Sequence, residues 1–262
     1  MEKKYGPLTL SENEEEGTLT VTACDKAAET VTIPMRVDGI PVVGIGGRAF
    51  EGCQALKEIT FPEADDDLFL EGKTFCEIGG NAFMGCSSLR EVILPDNVCV
   101  IGWGAFYGCT SLVRVLFSPR AYVSGYAFVR CTALKEVTPL STVSEGAFSH
   151  CEGLISLPVT ETLDEIGDDA FEHCDGLTEI VFPPTLERIG DLAFRGCQNL
   201  SHATFASPDG WYVTNRYTDD EDEVDLSDPE KNAYRLTHVD FDDGPNGMYK
   251  RKEQNHEDGT HR

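Results

Sequence analysis

A strand-dominated solenoid of the α/β class, built from short coils stacked on one another, is the fold this sequence predicts. Three observations predict it. The signature Ile-Gly-x-x-Ala-Phe-x-x-Cys-x-x-Leu-x-x-Ile-x-Leu-Pro recurs seven times, with its phenylalanines at 50, 83, 106, 128, 148, 171 and 194. The steps between them are 33, 23, 22, 20, 23 and 23 residues, a period typical of repeats that bury an apolar face only by stacking. Seven of the ten cysteines (Cys53, Cys86, Cys109, Cys131, Cys151, Cys174 and Cys197) share one position of the repeat.

Each part of a copy has a physical reading. The first copy is Ile45, Gly46, Ala49, Phe50, Cys53, Leu56, Ile59, Phe61 and Pro62. Its Leu-x-x-Ile-x-Leu stretch alternates like a short strand, and the proline ends it because proline cannot donate to a ladder. The glycine after Ile45 permits a tight turn or a close backbone approach. Ala49-Phe50 sends a ring inward beside a small neighbour that leaves room for the next coil. Copies two, three, six and seven begin at Ile78, Ile101, Ile166 and Ile189. Copies four and five begin at Val123 and Val143, with Ser124 and Ser144 in the glycine place, and the fifth is shortened. The seventh has Ala203 where larger apolar residues stand elsewhere. The long first step holds an insertion between Pro62 and Phe75, including Asp65-Asp66-Asp67, expected as a surface loop.

Composition narrows the function. Asp and Glu outnumber Lys and Arg 46 to 21, a formal charge of −25, which repels nucleic acid and anionic lipid. No apolar run is long enough to cross a bilayer, so membrane insertion is not expected. Residues Met1 to Leu10 have two lysines but neither an apolar core nor a small-residue cleavage site; they do not read as a secretory signal and by themselves argue for the cytoplasm.

The cysteine row is read as buried free thiols, since a free cysteine behaves as a small hydrophobe. A disulfide ladder or a metal cluster is the alternative. Stacked side chains point in parallel, which suits a disulfide poorly, and no Cys-x-x-Cys pair is present. Cys24, Cys76 and Cys99 lie outside the row and are also read as free.

These seven copies resemble the BspA-like leucine-rich repeats, a bacterial type found largely in cell-surface and secreted proteins. The resemblance covers about residues 31–205. It implies a curved right-handed coil with a parallel sheet on its concave face, protein or matrix binding of an adhesion-like kind, and a cell-surface or secreted location.

The ends are expected to cap this leucine-rich-repeat solenoid. The division is 1–44, an N-terminal β cap; 45–205, the seven repeats; 206–250, a C-terminal capping segment; and 251–262, a disordered tail. In the first, Leu19, Val21 and Ala23, then Val31 and Ile33, alternate around Asp25–Glu29 and predict a hairpin. Asp38-Gly39-Ile40-Pro41 predicts a turn. After Phe205, Ser207-Pro208-Asp209-Gly210 predicts a turn and Trp211–Thr214 a strand. Asp219 to Asp225 predicts an acidic loop. Ser227-Asp228-Pro229-Glu230 predicts a capped helix start running to about Leu236. Met248-Tyr249-Lys250 predicts a last short strand.

Chemistry-bearing constellations are few. Neither Asp219–Glu223 nor Asp65–Asp67 has calcium-loop spacing, so both read as solvated loops. His150 and His173 precede their cysteines in adjacent copies and should lie about one inter-strand spacing apart; they are either a solvated pair or a transition-metal seat. No nucleophile elbow, phosphate loop, dinucleotide fingerprint or zinc-protease motif occurs. No cofactor, resident metal or catalytic residue is implied, and an enzyme is the reading the sequence supports least.

The sheet face is therefore the expected binding surface. Its outward residues are Lys57, Glu58 and Thr60; Arg90, Glu91 and Ile93; Arg114 and Leu116; Lys135 and Glu136; Thr178, Glu179 and Val181; and His202 and Thr204, with Ser201 beside them. The column Thr60, Ile93, Leu116, Val181, Thr204 is less polar than its flanks. It is either plain cross-strand packing or an apolar stripe bordered by charge that fits a protein partner. The expectation is a monomeric, non-catalytic module that binds a protein or extracellular-matrix partner. A spacer or assembly scaffold without a specific ligand is the alternative.

Overall fold

The computed structural model describes residues 1–61, 75–140, 142–157, 160–214, 221–223, 225–238 and 249–251, with backbone alone at 212–214, 221–223 and 249–251. It is a strand-dominated parallel-sheet solenoid of about seven turns.

The chain begins with an antiparallel meander of β1 (Glu2–Tyr5), β2 (Leu8–Asn13) and β3 (Thr18–Cys24). Leu8, Leu10, Leu19 and Val21 are fully buried. The hairpin expected around Asp25–Glu29 lies one strand earlier, between β2 and β3, with Gly17 N–H bonded to Asn13 O at 2.8 Å. Residues 25–29 are instead a corner. The strand that follows, β4 (Thr30–Thr32), turns away from β3 and pairs in parallel with β7 (Glu58–Thr60), Val31 opposite Ile59. Thr30 to Pro34 copies the pattern of Glu58 to Pro62, so Val31 and Ile33 are the first rung of the repeat's own ladder. Alternation alone does not say which strand is the partner. Between them β5 (Arg36–Val37) folds back on β6 (Ile40–Ile45) across left-handed Asp38 and Gly39.

The repeats supply β8 (Glu77–Ile78), β9 (Glu91–Ile93), β10 (Val100–Ile101), β11 (Arg114–Leu116), β12 (Tyr122–Val123), β13 (Glu136–Val137), β14 (Glu165–Ile166), β15 (Glu179–Phe182), β16 (Arg188–Ile189) and β17 (His202–Phe205). They form two parallel ladders. The first contains β4, β7, β9, β11 and β13, and resumes with β15 and β17. The second contains β3, β6, β8, β10 and β12, and resumes with β14 and β16. This second ladder adds to the sheet read from sequence. Its glycines serve close approach: a Cβ on Gly102 would stand 2.7 Å from Gly80 N in the preceding coil.

A third wall needs no strand. Phe83 N–H bonds to Ala105 O at 2.7 Å, Phe106 N–H to Ala127 O at 2.8 Å and Phe128 N–H to Ala147 O at 2.8 Å, so each turn hydrogen-bonds to the next. The turn is shaped by two left-handed residues flanking each phenylalanine, at positions two before and two after it. Those after Phe50, Phe83, Phe106 and Phe194 are glycines, whereas Arg130, His150 and His173 hold that place in the middle copies. The seven rings stack in one row inside, with centroid separations of 4.8, 5.1, 5.3, 5.2, 5.4 and 5.3 Å and planes within 18° of parallel. All seven are fully buried.

The C-terminal segment closes both ladders. Trp211 is buried edge-on against Phe205 at 5.1 Å and opens β18 (Trp211–Thr214), which pairs antiparallel with β19 (Glu221–Glu223) and β20 (Tyr249–Arg251). β20 also covers the edge of β16. Helix α1 (Pro229–Thr237) starts at the Asp228 cap, whose carboxylate accepts the N–H groups of Glu230 and Lys231. Asn232 donates to Ala203 O at 3.0 Å, so the helix lies over β17, the exposed edge such a sheet has to protect. The acidic loop expected at Asp219–Asp225 is in part strand: backbone pairing of 221–223 with β18 overrides its composition. Arg251, placed in the tail by sequence, belongs to β20, whose backbone pairs it with Trp211. Asp65–Asp67, Asp219, Asp220, Met248 and residues 252–262 lie outside the described residues.

Phe128→Ala removes a ring stacked on both sides and is expected to lower stability by about 3–5 kcal/mol, measured by chemical denaturation. Arg130→Gly relieves a left-handed, β-carbon-bearing residue and is expected to raise stability by up to about 1 kcal/mol in the same assay.

Candidate binding face

Every residue expected to point outward on the first ladder does so. Lys57, Glu58, Thr60, Arg90, Glu91, Ile93, Lys135, Glu136, Thr178, Glu179, Val181, Ser201, His202 and Thr204 are exposed, and Arg114 and Leu116 are half-buried. The inward partners Ile59, Val92, Val115, Val137 and Ile180 are buried. This follows from strand alternation, with one face on the core and one in water.

The parallel register brings specific groups together. Ile93 stands opposite Leu116, and Arg114 is flanked by Glu91 and Glu136. Arg114 bridges both carboxylates, at 2.8 Å to Glu91 and 3.1 Å to Glu136. The hydrogen bond to Glu91 leads in holding its guanidinium pKa above the usual value. Lys57 reaches Glu29 at 2.7 Å, and that hydrogen bond holds the Glu29 carboxyl below its usual range. Glu58 faces Glu91 in the register. The less polar column is exposed where it matters, with Ile93 53% and Val181 61% accessible. Sequence analysis missed two exposed apolar residues of the neighbouring column, Val113 and Ile155. They precede the strands at the Lys57 position, where the other copies are polar, so the apolar letter itself was the available signal.

The face is not continuous. β13 ends one sheet and β15 begins another, and among the described residues the fifth copy contributes no strand between them. Pro139, two residues after β13, has no N–H to offer a ladder. At the break, Phe117 N–H bonds to the Thr138 hydroxyl at 2.9 Å, where its counterpart Leu94 bonds to Leu116 O. The two remaining rungs, β15 and β17, carry Val181 opposite Thr204 and Glu179 opposite His202. His202 hydrogen-bonds Ser201 at 2.9 Å and lies 3.9 Å from Glu230 on α1, so the cap borders this end of the face.

The possible metal ligands are arranged for other roles. His150 and His173 stack with centroids 4.8 Å apart and planes 21° from parallel. Near-parallel rings send their nitrogen lone pairs side by side rather than to a shared point. Burial, then His173, lowers the His150 pKa, so this ring is neutral at pH 7. Six of the seven row cysteines, all but Cys53 of the first copy, instead donate their thiol to the phenylalanine carbonyl of the coil before. The distances are 3.2 Å for Cys86 to Phe50, Cys109 to Phe83 and Cys131 to Phe106, and 3.1 Å for Cys151 to Phe128, Cys174 to Phe148 and Cys197 to Phe171. All ten thiols are free. Burial pushes Cys86 and Cys197 up to about 12 and Cys109, Cys131, Cys151 and Cys174 well above the usual thiol range. Among the described residues, no group of three or more His, Cys, Asp or Glu is placed to hold a metal ion, and no helix is long and apolar enough to cross a membrane.

Because thiolate is the reactive form, a thiol reagent at pH 8 is expected to modify exposed Cys99 first and leave Cys109, Cys131, Cys151 and Cys174 untouched until the chain unfolds. Peptide mapping after timed labelling checks this order.

Comparison with known proteins agrees with the geometry. A model of the BspA type leucine rich repeat region matches in six copies, over residues 24–68, 67–174 and 122–209. Among solved structures, the chain is similar to a leucine rich cell surface protein of Faecalibacterium prausnitzii A2-165. The two are 26% identical, the match covers 87% of this chain and 62% of that one, and the TM-score is 0.67. The chain therefore spans less than two thirds of that protein. It is also similar in fold to a leucine rich repeat protein of T. pallidum, at 24% identity, 78% and 82% coverage and a TM-score of 0.55. No curated protein matches the sequence. Repeat spacing, ring row, paired ladders and family model converge: the chain belongs to the BspA-type leucine-rich-repeat family.

Proposed function

We propose that the chain is a non-catalytic binding module, and that the first ladder between β7 and β13 docks a protein partner. The observation that carries this reading is exposed Ile93 beside half-buried Leu116, extended by exposed Val113 and bordered by the Glu91–Arg114–Glu136 clamp. A small apolar centre with a polar rim is the ordinary anatomy of a protein interface. Val181 and its neighbours on β15 and β17 form a second, smaller patch beyond the break. The acidic surface favours a partner with basic patches around its apolar contact.

The relative from F. prausnitzii is described as a cell surface protein. That description supports a surface-exposed role, with an extracellular-matrix or other cell's protein as the partner. A spacer or assembly scaffold is the competing reading. It is disfavoured at the C-terminal end, where α1 and β20 cover the ladder edges that end-to-end stacking would use.

Ile93→Asp combined with Leu116→Asp is expected to weaken capture of the partner by about 100-fold and to leave the melting temperature within a few degrees. The check is quantitative pull-down from host-cell and matrix extracts, comparing wild type and variant side by side. A retained set that is the same for both proteins would remove this face from the proposal.

A further inference from the structure

The shortened fifth copy interrupts the second ladder as well as the first. β12 ends one sheet and β14 begins another; among the described residues the fifth copy joins β14 through an isolated bridge from Val143 to Ile166, and the Ser144 hydroxyl donates to Val123 O of β12 at 2.7 Å. An opening of about 350 Å³ lies on this wall beside the break, and neither Ile93 nor Leu116 lines it. Its lining includes Tyr122, Glu145, Asp164, Glu165, Asp168 and Arg188.

Two features set its chemistry. The first is charge. Among the described lining residues four carboxylates face one guanidinium, and Arg188 bridges two of them, Glu165 and, at 3.0 Å, Asp168. Asp164 is exposed at the rim, and Glu145 keeps acceptor capacity beyond the hydrogen bond it takes from Tyr126 Oη. The second is aromatic surface. Tyr122, in the lining, is 51% accessible. An exposed ring beside carboxylates that Arg188 does not bridge favours a flat cation, which can stack on the ring while its N–H groups reach the acids. A lysine ammonium satisfies the acids without the stacking. The overall charge of −25 steers cationic chains toward the molecule.

We propose that this opening is a receptor for an arginine side chain carried by a basic protein segment. It stands apart from the face assigned above, and either assignment can fail alone.

The test uses the whole chain and a dye-labelled Gly-Arg-Gly-Arg-Gly peptide at physiological salt, read by fluorescence anisotropy. Tyr122→Ala combined with Asp164→Asn is expected to weaken binding about tenfold, and Asp164→Asn alone to weaken it in part. Glu15→Gln, which removes the same charge from the N-terminal hairpin, is expected to leave it unchanged. The lysine counterpart of the peptide is expected to bind several-fold more weakly. Thermal melts establish that each variant is folded. Equal loss in Glu15→Gln would show attraction to net charge alone and overturn the proposal. So would equal binding of the lysine peptide, absence of binding by the wild type, or binding of a neutral oligosaccharide that Tyr122→Ala abolishes.

Discussion

Each of the first six phenylalanines of the row is tied to the next coil in three ways at once. Phe106 stacks on Phe128 at 5.3 Å, donates its N–H to Ala127 O at 2.8 Å, and accepts the thiol of Cys131 at 3.2 Å on a carbonyl that also takes its own coil's Cys109 N–H. Backbone groups buried this deeply need partners, and a coil of this length cannot supply them all from within. Registry between coils is therefore the constraint from which the rest follows. It requires alanine before the ring and a small donor three residues after it. Cysteine meets that second need with a side chain apolar enough for the interior.

The same constraint explains why one irregular copy has consequences on two walls. The twenty-residue step keeps Phe148 in the row at 5.2 Å from Phe128 and keeps Cys151 on Phe128 O. What it gives up, among the described residues, is peripheral: the fifth strand of the first ladder, and in the second all but an isolated bridge at Val143. The core stays continuous while the surface breaks. Both proposed contact sites border that break, one on each ladder. In a uniform solenoid, departures from the repeat are where the surface becomes specific.

Much of this was legible in the sequence. The repeat spacing located the ring row, the cysteine row and the outward residues of the first ladder, because one period governs all three. The capped helix after Asp228 was legible from its cap and its proline. The second ladder was harder to see. Its rungs are two residues long at Glu77–Ile78 and Val100–Ile101, too short to show alternation. The left-handed positions were hidden where Arg130, His150 and His173 replace glycine. The first hairpin was misplaced because Val31 alternates equally well as a partner of β3 or of β7, and only the tertiary register decides. The opening beside Val143 lies where the ladder breaks, and residue patterns mark a regular copy more readily than the surface a shortened one leaves.

Native-state hydrogen exchange tests the central claim most directly. If stacked coils share one interior, the amides of Phe83, Phe106, Phe128 and Phe148, each bonded to the alanine carbonyl of the following coil, should exchange slowest and together, at the free energy of global unfolding. Fast or mutually independent exchange at these four amides would contradict a single continuous core.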